Sequence, residues 1–259
     1  MHVLAAVVIA LASGCTTLGP MPTTTAVSAI PAGRVGGEVQ IGAAPAYHLS
    51  AAASRPKGGA VGQAALLLEP DRLLGVPGLI VGGRLFGQSG DAPVEAMIGY
   101  RRALDDEFAI AVVGYGTSKR ATSKLASYHG FRMGTEVAAD GLIVGFTRWL
   151  GLHAQGAASI TRIVASGKYC VDSEGIGQDC SEDMPETNTF TSGQIRGWYP
   201  SVTASLSLDV GRNGSSWFHS FRFALMMSSG RMPRVVGGVQ TDDHTYFAYG
   251  ATATLGLGD

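Results

Sequence analysis

The sequence is short of charge, of lysine and of long apolar runs, and each shortage excludes something. Charged residues make up 15% of the 259, against roughly 25% in ordinary soluble domains. The formal net charge is −1, so nothing draws the chain to a polyanion, and nucleic acid is not expected as a partner. Four lysines stand beside fifteen arginines, a skew that reads as genomic composition bias. After residue 13 there is no apolar run of the roughly 18 residues that a spanning helix needs. Glycine, by contrast, is plentiful at 37, and apolar residues reach 46%. Much glycine, few charges and no long apolar run suit strands that are apolar on one face only, as in a membrane barrel. A soluble all-β protein shares most of these features, so composition leaves both open.

The one compact apolar block lies at the start. Residues 3–12 (VLAAVVIALA) precede Ser13-Gly14-Cys15. The block is too short for a stable bilayer anchor and has the length of a signal-peptide core. The small residues before Cys15 resemble a bacterial lipobox. That resemblance implies cleavage after residue 14 and a lipid on the Cys15 thiol; an ordinary signal peptide with an incidental Cys15 is the alternative. Residues 15–34 are rich in Thr, Pro, Ala and Gly and read as an extended linker, leaving 35–259 as the folded domain. In an exported chain, Cys170 and Cys180 are expected to pair, closing a small polar loop. A zinc site there is disfavoured, because no histidine lies nearby.

Period-two alternation dominates the C-terminal half. In 201–211, Val202, Ala204, Leu206, Leu208 and Val210 share one face, and Ser201, Thr203, Ser205, Ser207 and Asp209 the other. The same alternation runs through 149–161, 217–228 and 245–258. Helical spacing does not group these residues, so the segments are strands. They run longer than the usual 5–6 residues of soluble strands and near the roughly 9–11 of a tilted membrane strand. Segments 35–48, 60–69, 78–87, 94–103, 108–117 and 126–138 complete a set of ten, with 60–69 also compatible with a helix. Short turns are expected at 104–107, 139–141 and 211–215, and long loops at 118–126, 166–197 and 230–243. Such alternation is typical of transmembrane barrels. Segment 139–150 is too long for a turn, so counts of eight or twelve stay open.

By this pattern, residues 35–259 resemble small bacterial outer-membrane β-barrels. The resemblance implies an all-β antiparallel transmembrane barrel of about ten strands (8–12), with lipid on its outer face. Tyr100, Tyr115, Trp149, Trp198, Tyr199, Trp217, Tyr246 and Tyr249 are then expected at the two membrane interfaces.

On the polar faces, Glu38, Gln40, Arg84, Glu95, Arg101, Arg132, Glu136, His153, Gln155, Asp209 and Arg222 are expected in the lumen. Mixed signs at adjacent heights point to ion pairs filling a narrow interior. A polar pore is the alternative. A lipid-modifying enzyme would need a nucleophile beside a base, and His219 with Ser220 or His153 with Ser159 are poorly placed for that. The glycine pairs Gly36-Gly37 and Gly82-Gly83 lack a nucleotide-loop sequel. The acidic residues Glu174, Asp179, Glu182, Asp183 and Glu186 have no EF-hand spacing and read as a solvated loop. No catalytic residue, metal or cofactor is expected. The readings are thus a structural or surface-interaction barrel, a small porin, a lipid-modifying enzyme, or a lipid-anchored periplasmic β-sandwich. Partners are expected to be outer-membrane lipid, and envelope proteins meeting loop 166–197 or the periplasmic face. A larger envelope or motility assembly is one setting for such a barrel.

Overall fold

The computed structural model describes residues 35–45, 58–70, 74–88, 94–105, 107–122, 126–171, 189–211, 218–236 and 239–257. Ten strands carry the regular structure. They are β1 (Val35–Pro45), β2 (Gly58–Leu68), β3 (Leu79–Gln88), β4 (Val94–Ala103) and β5 (Phe108–Thr122), then β6 (Ala126–Thr147), β7 (Leu150–Val171), β8 (Thr189–Val210), β9 (Phe218–Val236) and β10 (Val239–Leu257). Each pairs antiparallel with its sequence neighbours, and β1 closes on β10, from Val35 opposite Leu257 to Ala43 opposite Tyr249. Closure removes the free sheet edges of the shared part of the ring, while the far end of β8, from Thr189 to Pro200, pairs with β7 and makes no ladder with β9. Segment 60–69 resolves as strand, because β2 pairs on both sides. The two glycine pairs sit inside β1 and β3.

The alternation read from the sequence fixes which side each residue takes. Along β8, Val202, Ala204, Leu206, Leu208 and Val210 are exposed, while Thr203, Ser205, Ser207 and Asp209 are buried. On β9 and β10, Phe223 and Leu255 also face outward. Along β8 the barrel is therefore polar inside and apolar outside, while on β2 to β5 Leu67, Ile80, Met97 and Val113 share the interior with the polar residues. A sandwich needs its apolar faces to meet each other, and the closed ring with outward Leu206 excludes that reading.

Several expected loops are strand instead. Segment 118–126 is mostly the end of β5, 230–243 is mostly β9 and β10, and within 166–197 the residues 166–171 and 189–197 belong to β7 and β8, those between lying outside the described residues. The turn expected at 139–141 does not exist: β6 runs on to Thr147, and the chain reverses at 148–149. Two register shifts, between Leu142 and Val144 and between Gly145 and Thr147, bend this end of β6. That irregularity broke the sequence alternation and made 139–150 hard to place. The turn at 104–107 is as expected, with Asp105 Oδ1 accepting from the backbone N–H groups of Glu107 (2.8 Å) and Phe108 (2.7 Å). Just past β8, Gly211 takes a positive φ of 97°, and its N–H donates to Trp149 O at 2.8 Å; the rest of the turn expected at 211–215 lies outside the described residues.

The wall is uneven in height. β1 to β4 have 10 or 11 residues, whereas β6, β7 and β8 have 22 each. At roughly 3.3 Å per residue and a tilt of about 40°, the long strands rise roughly 55 Å, about twice the ~25 Å apolar band of an outer-membrane barrel.

Candidate functional site

Of the polar residues expected in the lumen, those whose side chains are described face it, and Arg84, Glu95, Arg132, His153, Asp209 and Arg222 gather into two ion-pair layers. Even-numbered positions of β6 face inward, which places Arg132, Glu136 and Asp140 on one line up the barrel interior. Odd positions of β4 and β7 do the same for Glu95, His153 and Gln155.

The first layer, nearer the 104–107 end, centres on Arg222 of β9. Its Nη1 donates to Asp140 Oδ1 at 2.6 Å and its Nη2 to Asp209 Oδ2 at 3.0 Å. The same Nη2 lies 3.3 Å from His153 Nδ1, which is 3.1 Å from Asp140 Oδ2. One guanidinium thus ties β6, β7, β8 and β9. Arginine suits this role because its planar donors engage several oxygens at once. Beside this layer, Arg101 of β4 pairs with Glu69, which follows β2, at 3.1 Å.

The second layer centres on Glu95 of β4. Arg84 of β3 donates to Glu95 Oε2 through Nε at 2.7 Å and also through Nη2. Arg132 Nε of β6 stands 3.6 Å from Glu95 Oε1. The Tyr115 ring of β5 lies between the two guanidiniums, 5.1 Å from Arg84 and 5.4 Å from Arg132. Its hydroxyl is hydrogen-bonded to Thr161 Oγ1 of β7 at 2.6 Å. This layer ties β3 through β7. Glu136 is buried on β6 between the layers, and Gln155 Oε1 accepts from Ser205 at 3.4 Å.

A water-filled channel would wet these side chains. Instead Glu95, Arg132 and Asp140 are each at most 1% exposed. The interior at these two heights is packed, with buried charge compensated by charge.

Three participants were not among the expected lumen residues. Asp140 was hidden by the mistaken turn, although Arg132, Glu136 and Asp140 keep one parity throughout. Glu69 lies just past the end of its strand. Tyr115, with Tyr199 and Tyr246, was expected at the interfaces, but all three face the lumen at 6%, 1% and 2% exposure. Strand parity decides this: Tyr115 shares its side with Val113 and Ala111, both buried. Tyr100, Trp149, Trp198 and Tyr249 do face outward. Tyr115 fits because Gly134 lies opposite it; a Cβ there would stand 2.5 Å from the Tyr115 hydroxyl oxygen.

The hydrolase pairing of His153 with Ser159 does not form. His153 engages Asp140, and the Ser159 hydroxyl bonds that of Ser201 at 2.7 Å. Among the described residues no group of three or more His, Cys, Asp or Glu is arranged to hold a metal. Cys15, Cys180 and the acidic residues Glu174 to Glu186 lie outside the described residues, and with them the lipid and disulfide expectations. The side chains of Glu38, Cys170, Trp217 and His219 also lie outside them.

No family model and no curated protein matches this chain. Among solved structures, it is similar to Neisserial surface protein A (7% identity, TM-score 0.38), covering 88% of this chain and 98% of that one. It is similar to the translocator domain of the autotransporter NalP from Neisseria meningitidis (10% identity, TM-score 0.42), with 86% and 87% covered. It is also similar to Ail, the attachment invasion locus protein of Yersinia pestis (10% identity, TM-score 0.29), with 85% and 97% covered. The barrel assignment itself rests on this chain's own closed strand pairing.

Proposed function

We propose that this chain is a bacterial outer-membrane barrel, exported with a signal peptide, tethered by a lipid on Cys15 and closed along its lumen. Its role on this reading is structural or surface interaction, not transport or catalysis. One observation carries the proposal: a packed, ion-paired interior inside a belt of outward Leu, Val, Ile and Phe. Hydrocarbon is the solvent in which such an outer face is stable, and a closed barrel satisfies the backbone there. The two layers tie seven strands from within, which gives rigidity and obstructs passage. The long ends of β6 to β8 stand clear of the apolar band, and their outward side chains Ser166, Lys168, Gln194 and Arg196 are polar. They form the surface offered to envelope partners.

Three measurements test this. Membrane fractionation with gel migration before and after boiling is expected to give an outer-membrane, heat-shifted band; a uniform, soluble band refutes the membrane barrel. Planar bilayers are expected to stay silent, and discrete conductance refutes the closed lumen. Metabolic fatty-acid labelling is expected to vanish in Cys15→Ala, and retained label refutes the tether.

A further inference from the structure

The apolar outer wall is not smooth. A groove of about 460 Å³ crosses it from β4 to β8, within the roughly 300–1,000 Å³ range of small-molecule sites. Its bed is made by Gly114 and Gly116 of β5, both on the outward side, and its banks by Ile98, Met133, Ile160 and Trp198. The missing side chains of two glycines on one strand face make the depression.

The strand register shows what lies at its end. Ala96, Gly116, Met133, Arg162 and Trp198 stand opposite one another in sequence across β4, β5, β6, β7 and β8. The Arg162 guanidinium lies 5.3 Å from the Trp198 ring centroid. Below this line the outward residues of β8 are Pro200, Val202, Ala204, Leu206 and Leu208; above it come Arg196 and Gln194. Outward residues of β7 run from Ile160 through Arg162 and Val164 to Ser166 and Lys168, and the outward Phe131 of β6 stands opposite Val164. The outward positions in 131–137, 160–168 and 194–202 include no carboxylate. The groove thus opens from an apolar band onto a cationic edge.

We infer that this groove binds one acyl chain of an anionic lipid of the surrounding membrane, whose phosphate is held by Arg162 and Arg196. An uncharged apolar occupant would leave the cationic edge unused, and a soluble anion would leave the groove empty. A lipid with a negative headgroup uses both. Trp198 belongs at that boundary, since its ring suits the headgroup level and stacks under a guanidinium. The inference rests on the membrane-barrel reading proposed above.

The test uses the full chain carrying Trp149→Phe and Trp217→Phe, so that Trp198 alone reports, in phosphatidylcholine vesicles. Brominated phosphatidylglycerol or brominated phosphatidylcholine is titrated in as quencher. The brominated anionic lipid is expected to associate roughly thirtyfold more strongly, the effect of two arginines at about 1 kcal/mol each. Arg162→Gln with Arg196→Gln is expected to bring the ratio near one. So is Gly114→Val with Gly116→Val, which fills the groove; a Cβ at either glycine meets no heavy atom closer than 3.6 Å. Each variant is first checked for the heat-shifted band. A ratio of one in the unsubstituted groove, or a preference that survives either variant, overturns the inference. Absence of quenching by both lipids overturns the membrane reading instead.

Discussion

Replacing Arg222 with methionine removes the group that holds the first lumen layer together. Methionine keeps most of the apolar stem but ends short of the guanidinium, so the stem's packing changes little while the charge disappears. The guanidinium it replaces contacts Asp140 at 2.6 Å, Asp209 at 3.0 Å and His153 at 3.3 Å. The Asp140 and Asp209 side chains are only 1% and 5% exposed. They cannot turn to water when their shared partner is gone. Breaking a buried pair by removing one member costs about 3–5 kcal/mol. At about 1.4 kcal/mol per tenfold, that is a hundredfold or more in the folding equilibrium. The loss is measured by urea unfolding in lipid vesicles, followed by tryptophan fluorescence. The triple change Arg222→Met, Asp140→Asn and Asp209→Asn is expected to recover much of it, because the uncompensated charges leave with their partner. A cost below about 0.5 kcal/mol for Arg222→Met alone would match a solvated pair. That outcome would mean water fills the lumen and the closed reading is wrong.

Other consequences follow from the same geometry. Gly134→Ala is expected to cost about 1–3 kcal/mol by overpacking, since the new Cβ would stand 2.5 Å from the Tyr115 hydroxyl and 2.6 Å from Ile160 O; a neutral result in the same unfolding assay would show that the Tyr115 ring sits elsewhere. Leu206→Arg places a charge on the outer face and is expected to cost about 2–4 kcal/mol in vesicles if it lies at the bilayer midplane. The same substitution would cost little if water bathed that face, so an unchanged unfolding midpoint speaks against lipid contact. Tyr115→Phe keeps the ring between Arg84 and Arg132 but deletes the bond to Thr161, and about 0.5–1.5 kcal/mol is expected, read from the shift in urea midpoint.

The barrel was legible in the sequence because one periodicity encodes both strand and side. Ser205, Leu206 and Ser207 already show which residues go in and which go out. The ten segments followed from the same rule, as did the lumen positions of Glu95, Arg132, His153, Asp209 and Arg222. What the alternation could not give was partner identity across strands. Arg222 and Asp140 are 82 residues apart and meet only because β6 to β9 curve around the lumen of the ten-strand ring. Strand ends were misjudged where composition turned polar. Segments such as 166–171 and 189–197 look like loop by residue type, yet their backbones stay paired above the apolar band. Asp140 was lost because two register shifts just beyond it interrupt the alternation. The outer groove had no sequence signal beyond Gly114 and Gly116 sharing one face.

The central claim is that hydrocarbon touches the outward face while the inward face sees neither lipid nor bulk water. Nitroxide labels placed singly at positions 202 to 208 of β8, with the three native cysteines replaced by alanine, test it by power saturation in vesicles. Labels at Val202, Ala204, Leu206 and Leu208 are expected to relax with lipid-soluble oxygen and not with a water-soluble nickel chelate, whereas labels at Ser205 and Ser207 respond weakly to both. Nickel-dominated relaxation at Leu206 and Leu208, or at Ser205 and Ser207, would contradict the account.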